Sequence, residues 1–438
     1  MKTLREHLLA VPHGRRVLVS RQGALGCDEL IAVAPSAAAN GRSIAICSDD
    51  IAQALKWLVA LDGAAANILL LSANVDAYMA LSLTQESGCD LLLTSRDDIV
   101  ARDDGITIAS SLEALEASAP NSRAASPTTT WTLTTSGTTG RPKLIAHTLE
   151  SLTRTTRIDH ARGAGQVWAM LYDYTRFAGL QVLLQSVLSG AELAAPPIDQ
   201  PLQDRVGFFL ERLCTHVSCT PTLWRKLLMV PGFDALPLRQ ATLGGEIADN
   251  RVLAAIHQIF PEARVTHIYA STEAGVGFSV SDLRAGFPVS FLDTCEAGVS
   301  LRLSSDNILE IQTDLASEWI NTQDHVQVTG DRVLFLGRDN GTINVGGDKV
   351  HPEEIEGAIL EHADVLAARV FGRENPIVGA VVCAQVQVSS KLQEAGGVAS
   401  ELRRFLADRL ARHKIPAIVK VVDTVEVTSA GKIERNVS

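Results

Sequence analysis

The chain has little that would place it in a membrane, in a disulfide-knitted secreted fold or on nucleic acid. No apolar run approaches the roughly 20 residues that a spanning helix needs. Met1 to Gly14 offers Lys2 and Arg5 but only a few apolar residues before Pro12, too short for a signal peptide. The seven cysteines are an odd number with no C-x-x-C. Cys214 and Cys219 stand five apart without a His-x-x-x-His partner, so they read as core or surface thiols and not as zinc ligands. A reducing, cytoplasmic setting fits. A formal net charge of −11 and a pI near 5.5 argue against a nucleic-acid footprint. No internal repeat stands out. What remains is an ordinary globular balance: 438 residues, 46% hydrophobic, 20% charged, mean hydropathy +0.14. That is room for one large domain and a smaller one.

Strands and helices alternate from the start. The pattern predicts strands at Arg16–Ser20, Ser43–Cys47, Ala66–Leu71 and Leu91–Leu93, with helices at Asp28–Ala38, Ala52–Leu61 and Asp76–Gln85 between them. This is the signature of an open α/β sheet. Ala101 to Thr129 reads as a connector. The alternation then continues from Trp131 to about Phe335, with helices at Leu149–Asp159 and Phe177–Leu188 and strands at Val167–Leu171 and Glu192–Ala195. The polar, Gly-rich Gly337-Arg338-Asp339-Asn340-Gly341 marks a change. The remaining residues, about one hundred, suit a small α+β domain on a hinge, with strands at Thr342–Val345, Ala367–Phe371, Gly379–Val388 and Ala417–Val422 and helices at Glu353–Glu361 and Ala399–Leu410. The expected domains are 1–337 and 338–438.

Thr134 to Lys143 read T-T-S-G-T-T-G-R-P-K, with seven of ten positions Thr, Ser or Gly. The stretch Trp131-Thr132-Leu133 before it looks like a strand. Glycines can turn backbone N–H groups inward and hydroxyls add donors, so the loop Thr135, Ser136, Gly137, Thr138, Thr139, Gly140 can wrap a polyphosphate. Lys143 adds a point charge, and Pro142 stiffens its approach. The spacing is not G-x-x-x-x-G-K-[S/T], so a P-loop kinase or GTPase is excluded. Gly244-Gly245-Glu246 and Tyr269-Ala270-Ser271-Thr272-Glu273 fall where strands end, the usual place for ligand contacts in such a sheet. An aromatic ring beside Thr and Glu could stack on adenine, bond an α-phosphate and hold a metal; Mg²⁺ commonly takes one or two carboxylates beside substrate phosphates.

These motifs, in this order, resemble the adenylate-forming superfamily: acyl- and aryl-CoA synthetases, peptide-synthetase adenylation domains and luciferases. The resemblance implies a large N-terminal domain with open mixed sheets, a small mobile C-terminal α+β domain, and ligase chemistry on ATP with Mg²⁺. It assigns the loop and Lys143 to the β- and γ-phosphates. Gly245, Glu246 and Tyr269 go to adenine, Thr272 to the α-phosphate, and Glu273 to Mg²⁺. Two stretches compete for the ribose. Thr329-Gly330-Asp331 spells the family's T-G-D but sits in a hairpin-like turn. Trp319-Ile320-Asn321-Thr322-Gln323-Asp324 has the aromatic lead-in and the family's distance to Gly337-Arg338. The ribose is therefore assigned to Asp324 and Arg338. Thr428-Ser429-Ala430-Gly431-Lys432 resembles the family's C-terminal lysine loop, which makes Lys432 the catalytic cation. Asn340 falls at the hinge, and Gly346-Gly347 falls on the loop that lines the thiol tunnel. The chain departs from the family at Leu144, Ala270 and Gln323, each where Gly is usual, and lacks the Pro-Arg before the lysine loop.

The same resemblance places the acid pocket on Arg176, Phe177, Leu180, Gly245 and Ala270. Amino-acid-activating members keep an anchoring Asp at the position that falls on Phe177, and Asp173 is out of register. A non-amino acyl or aryl acid is thus expected. Arg176 is left two readings, contact with a polar or anionic substituent or a place in solvent. The expected acceptor is CoA, with the phosphopantetheine thiol of a carrier protein as the alternative. A non-catalytic adenylate-binding homologue is a third reading.

Overall fold

A computed structural model describes residues 2–100, 105–118, 123–126, 128–135, 142–296, 298–313, 318–375 and 379–426. The chain forms two compact units. One comprises 1–218, 235–239 and 271–275; the other comprises 219–234, 240–270 and 276–438.

The first unit holds a six-stranded sheet in the order Thr107–Ala109, Leu91–Thr94, Ser43–Cys47, Asn67–Leu71, Thr130–Thr135, Lys143–Thr148. All neighbours are parallel except the last pair. Apolar runs such as Asn67–Leu71 form its centre because a parallel sheet is covered on both faces. Crossover helices supply that cover. Ile51–Leu61 begins where Asp50 accepts hydrogen bonds from the Ala52 and Gln53 amides, satisfying two otherwise orphaned donors. A second set of strands runs Gly23–Gly26, Arg16–Ser20, Glu192–Ala194, Val167–Ala169, His216–Cys219. The helix Phe177–Leu188 buries Leu180, Leu183, Leu184, Val187 and Leu188 completely. Gly179 lets it approach this closely: a Cβ there would overlap the Asp173 carbonyl.

In the second unit, Gln240–Gly244 and Arg264–Ser271 pair in parallel, with Gly275–Val280 beyond them. A five-stranded antiparallel sheet follows in the order Phe287–Pro288, Arg332–Arg338, Ile320–Thr329, Ile308–Thr313, Val299–Leu303. The C-terminal part has strands Asp348–Val350, Ile343–Val345, Gly379–Val388 and Val365–Asn375 in that order, with Ile418–Val421 parallel to Gly379–Val388. Helices Pro352–Leu360 and Val398–Ala407 contribute Ile355, Ile359, Leu402 and Leu406 to its core, alongside Val350 and Val386.

Three expectations need correction. The supposed connector holds a strand, Thr107–Ala109, and a helix, Leu112–Ser118. The βα alternation stops well before Phe335, at the antiparallel sheet from Phe287. The helix expected over Leu149–Asp159 ends at Thr153 and restarts as His160–Gly163. Asp159 caps the restart by accepting from the Ala161 and Arg162 amides, a local alternative to continuing the first helix.

Candidate active site

In the first unit, strands Thr130–Thr135 and Lys143–Thr148 are the two arms of a hairpin, and Thr135 pairs directly with Lys143. The motif's second threonine and its lysine are thus direct partners across the two strands. Ser136, Gly137, Thr138, Thr139 and Gly140 lie outside the described residues, as does Lys432.

Arg176 has a partner within the protein. Its Nη1 donates to the Thr134 carbonyl at 2.8 Å and to Thr134 Oγ1 at 3.0 Å. A charged donor is therefore engaged with the backbone next to the loop. Phe177, the next residue, is 8% exposed and tilts against the His147 ring at 5.7 Å. Leu180 has no exposed surface and supports this face from the core. Both oxygens of Asp173 are engaged: one accepts from Ser72 Oγ, the other from the Thr175 amide and hydroxyl.

Thr272 and Glu273 follow the end of strand Arg264–Ser271, in a turn closed by the Ala274 amide donating to Ser271 Oγ at 3.0 Å. Glu273 is exposed. His147 faces this turn. Burial lowers its pKa, while the Thr272 backbone and the Glu273 carboxylate oppose that shift. His147 did not emerge from the sequence. Its signal is its place four residues beyond Lys143, on a strand arm leading out of the loop.

In the second unit, the structure brings Tyr269, Asp324 and Arg338 together. The Tyr269 hydroxyl donates to Asp324 Oδ2 at 2.5 Å, and Arg338 Nε donates to Oδ1 at 2.7 Å. Asp324 is 9% exposed, whereas Arg338 is exposed. Burial, then the neighbouring Asp324 charge, push the Tyr269 hydroxyl well above its usual pKa, so it remains a donor. The ring is itself packed: it stacks on Phe278 and Phe335, each at 5.2 Å. Both the ring and the hydroxyl of Tyr269 are thus engaged within the protein. Gly277, also unanticipated, makes room for it; a Cβ there would come within 3.2 Å of the ring and closer still to Ile311.

Gln323 has φ +62°, a left-handed conformation that L side chains adopt at a cost. The residue that stands in place of glycine therefore keeps a backbone shape that suits glycine. Asp331 sits at the turn between Ile320–Thr329 and Arg332–Arg338, where Arg284 grips both its oxygens at 2.7 and 2.8 Å. That grip holds its carboxyl down to about 2.

Gly245, at φ +78°, lies just past strand Gln240–Gly244. Glu246 accepts from the Thr222 amide at 3.0 Å, in the first turn of helix Pro221–Leu228, where a carboxylate is favoured by the helix dipole. Ala270 is half-buried on the strand that carries Tyr269. Asn340 occupies a single 3-10 turn, Asp339–Gly341. Gly346 and Gly347, both at positive φ, form the two-residue turn of a hairpin between Ile343–Val345 and Asp348–Val350.

The sequence pattern of the AMP-binding enzyme family matches residues 37–297, and that of the AMP-binding enzyme C-terminal domain matches 354–432. The chain belongs to this family, within the adenylate-forming superfamily. It is 27% identical over 345 residues to an isonitrile lipopeptide synthase of Streptomyces coeruleorubidus, an alignment covering 69% of this chain and 23% of that protein. It is 39% identical over 110 residues to a medium/long-chain-fatty-acid–CoA/3-oxocholest-4-en-26-oate–CoA ligase of Mycobacterium tuberculosis, covering 25% of this chain and 20% of that protein. The matched stretches thus span under a quarter of these relatives' own lengths. Among solved structures, o-succinylbenzoate CoA synthetase from Bacillus subtilis, in complex with its acyl-adenylate intermediate, shares the fold, with TM-score 0.74 and 19% identity over 99% of this chain and 97% of that one. The expected fold class, a large α/β domain followed by a small α+β one, is borne out.

Proposed function

We propose that the protein activates a non-amino carboxylic acid with ATP and passes the acyl group to a thiol. The observation that carries this reading is the buried Asp324 carboxylate held between Tyr269 and Arg338. A carboxylate can accept from both hydroxyls of a ribose, and Arg338 adds donors beside it. Its partners fix its orientation before any nucleotide arrives, which lowers the ordering cost of binding.

In the first half-reaction an oxygen of the acid attacks the α-phosphorus and pyrophosphate departs with the electrons of the broken P–O bond, giving acyl-AMP. Both reactants are anions, so the site must hold them in line and offset their repulsion. The phosphate loop and Lys143 would hold the departing pyrophosphate. Thr272 would contact the α-phosphate, and Lys432 would sit where negative charge builds. Glu273 is an exposed single carboxylate, which suits Mg²⁺ shared with phosphate oxygens. When bound there, the ion would neutralise charge on the leaving group. In the second half-reaction a thiolate attacks the acyl carbon and AMP leaves with the bonding pair. Exchange between the two steps would come from rotation of 338–438 about Asn340, bringing Gly346 and Gly347 to the thiol path.

Both Asp173 oxygens already accept from Ser72 and Thr175, and Phe177 stands where an anchoring carboxylate would, which supports a substrate without an α-amine. We take CoA as the acceptor. A carrier-protein thiol is the second reading, favoured by the match over 69% of the chain to a lipopeptide synthase.

Acid-dependent exchange of labelled pyrophosphate into ATP tests the nucleotide site. Asp324→Ala should abolish exchange, while Asp331→Ala should leave it near the wild-type rate. The reverse pattern would overturn the assignment.

A further inference from the structure

Helix Asn250–Ile259 begins at Asp249, whose Oδ1 accepts from the Arg251 and Val252 amides. The Arg251 side chain reaches away from it to the far end of helix Pro352–Leu360. There Nη1 donates to the carbonyls of Leu360 at 2.6 Å, His362 at 2.6 Å and Val365 at 3.1 Å, and Nη2 donates to that of Ala363 at 2.7 Å. Of these only the Leu360 carbonyl ends the helix, where the last carbonyls have no partner within it and carry partial negative charge; the other three lie in the turn and strand start that follow. A guanidinium, planar and permanently charged, can serve several such backbone carbonyls at once. Nearby, Lys226 Nζ donates to the Val425 carbonyl at 3.3 Å. Thr222, Met229, Leu360, Leu366 and Val425 border a small cleft between these contacts.

Arg251 lies in the segment that matches the AMP-binding enzyme family, and the carbonyls it holds lie in the segment that matches the C-terminal domain. One side chain thus makes four hydrogen bonds across the joint between them. Each is directed at backbone, so the contact depends on the position of the C-terminal segment and not on its side chains.

We propose that Arg251 is a positioning residue, a clamp that holds the C-terminal segment in the arrangement seen and has to release whenever that segment rotates. This rests on the reading of two half-reactions served by two arrangements. The clamp stabilises one arrangement and not the other, so it sets the balance between the steps.

The test uses the full chain carrying Arg251→Ala and Arg251→Lys, with two readouts. Hydrogen exchange of the amides in 352–365 and 338–345 needs no substrate. Arg251→Ala should speed it about tenfold, with Arg251→Lys intermediate because an ammonium lacks the planar fork. The second readout is the ratio of acid-dependent pyrophosphate exchange to thioester formation from a supplied acyl-adenylate. Arg251→Ala should move this ratio about tenfold. Unchanged hydrogen exchange, or an equal fall in both half-reactions at constant ratio, would overturn the clamp. If the wild type performs neither half-reaction, the proposed function fails, and the hydrogen exchange alone still decides whether Arg251 holds the segment.

Discussion

Tyr269 is a motif residue engaged through both its ring and its hydroxyl. Its ring is stacked on Phe278 and Phe335, and its hydroxyl is turned to the buried Asp324 carboxylate. Tyr269→Phe keeps the stack and removes only the donor to Asp324. A hydrogen bond to a charged group contributes about 1.5–3 kcal/mol. The expected outcome is a loss of about that size in unfolding free energy, together with a fall of roughly tenfold or more in kcat/KM for ATP, read from the ATP dependence of pyrophosphate exchange. An unaltered ATP dependence would show that Asp324 does not need the hydroxyl. At this scale the site was partly legible. The choice of Asp324 over Asp331 came from the aromatic lead-in at Trp319 and the spacing to Arg338. The structure places the first in a buried cluster and the second on an exposed turn gripped by Arg284. Arg176 was not legible, because its partner is the Thr134 backbone, and no pattern of side chains announces a backbone acceptor.

Elements were readable where burial is two-sided. Arg16–Ser20, Ser43–Cys47, Phe177–Leu188 and Gly379–Val388 stand at the expected bounds because each is a dense apolar run. The antiparallel sheet from Phe287 was missed for the opposite reason: Ile308–Thr313 alternates buried and half-buried residues, and Ile320–Thr329 is largely polar. The strand His216–Cys219 carries a consequence for stability. His216 is 8% exposed, packs at a tilt against Trp168 at 4.7 Å and pairs with the Thr215 hydroxyl. Burial, reinforced by Arg239, lowers its pKa from 6.5 to about 4. Above 6.5 it is neutral in both folded and unfolded chains. As the pH falls below 6.5 the unfolded chain takes up a proton that the folded chain refuses, so stability is lost until the pH reaches about 4. Between pH 7 and 5 this one residue should cost ~2 kcal/mol. Chemical denaturation at the two pH values should show a smaller difference in His216→Gln by about that amount; an identical difference would remove His216 as the cause.

For the whole molecule, family and fold were legible because the motifs recur in a fixed order from Trp131 to Arg435, and the matches at 37–297 and 354–432 agree with that span. What the sequence did not disclose is how the C-terminal segment is held. Arg251 lies in no motif, and its four acceptors are carbonyls whose position exists only after folding. The acid and the thiol acceptor depend on pocket shape and partner surface, which motif letters do not encode. The central claim, that this chain forms an acyl-adenylate, is tested most directly by exchange of labelled pyrophosphate into ATP with Mg²⁺, without any thiol, across aryl, short- and medium-chain, and amino acids. The account predicts exchange that depends on a non-amino acid and is absent without one. Exchange supported only by amino acids, or none with any acid in protein shown to bind ATP, would contradict it.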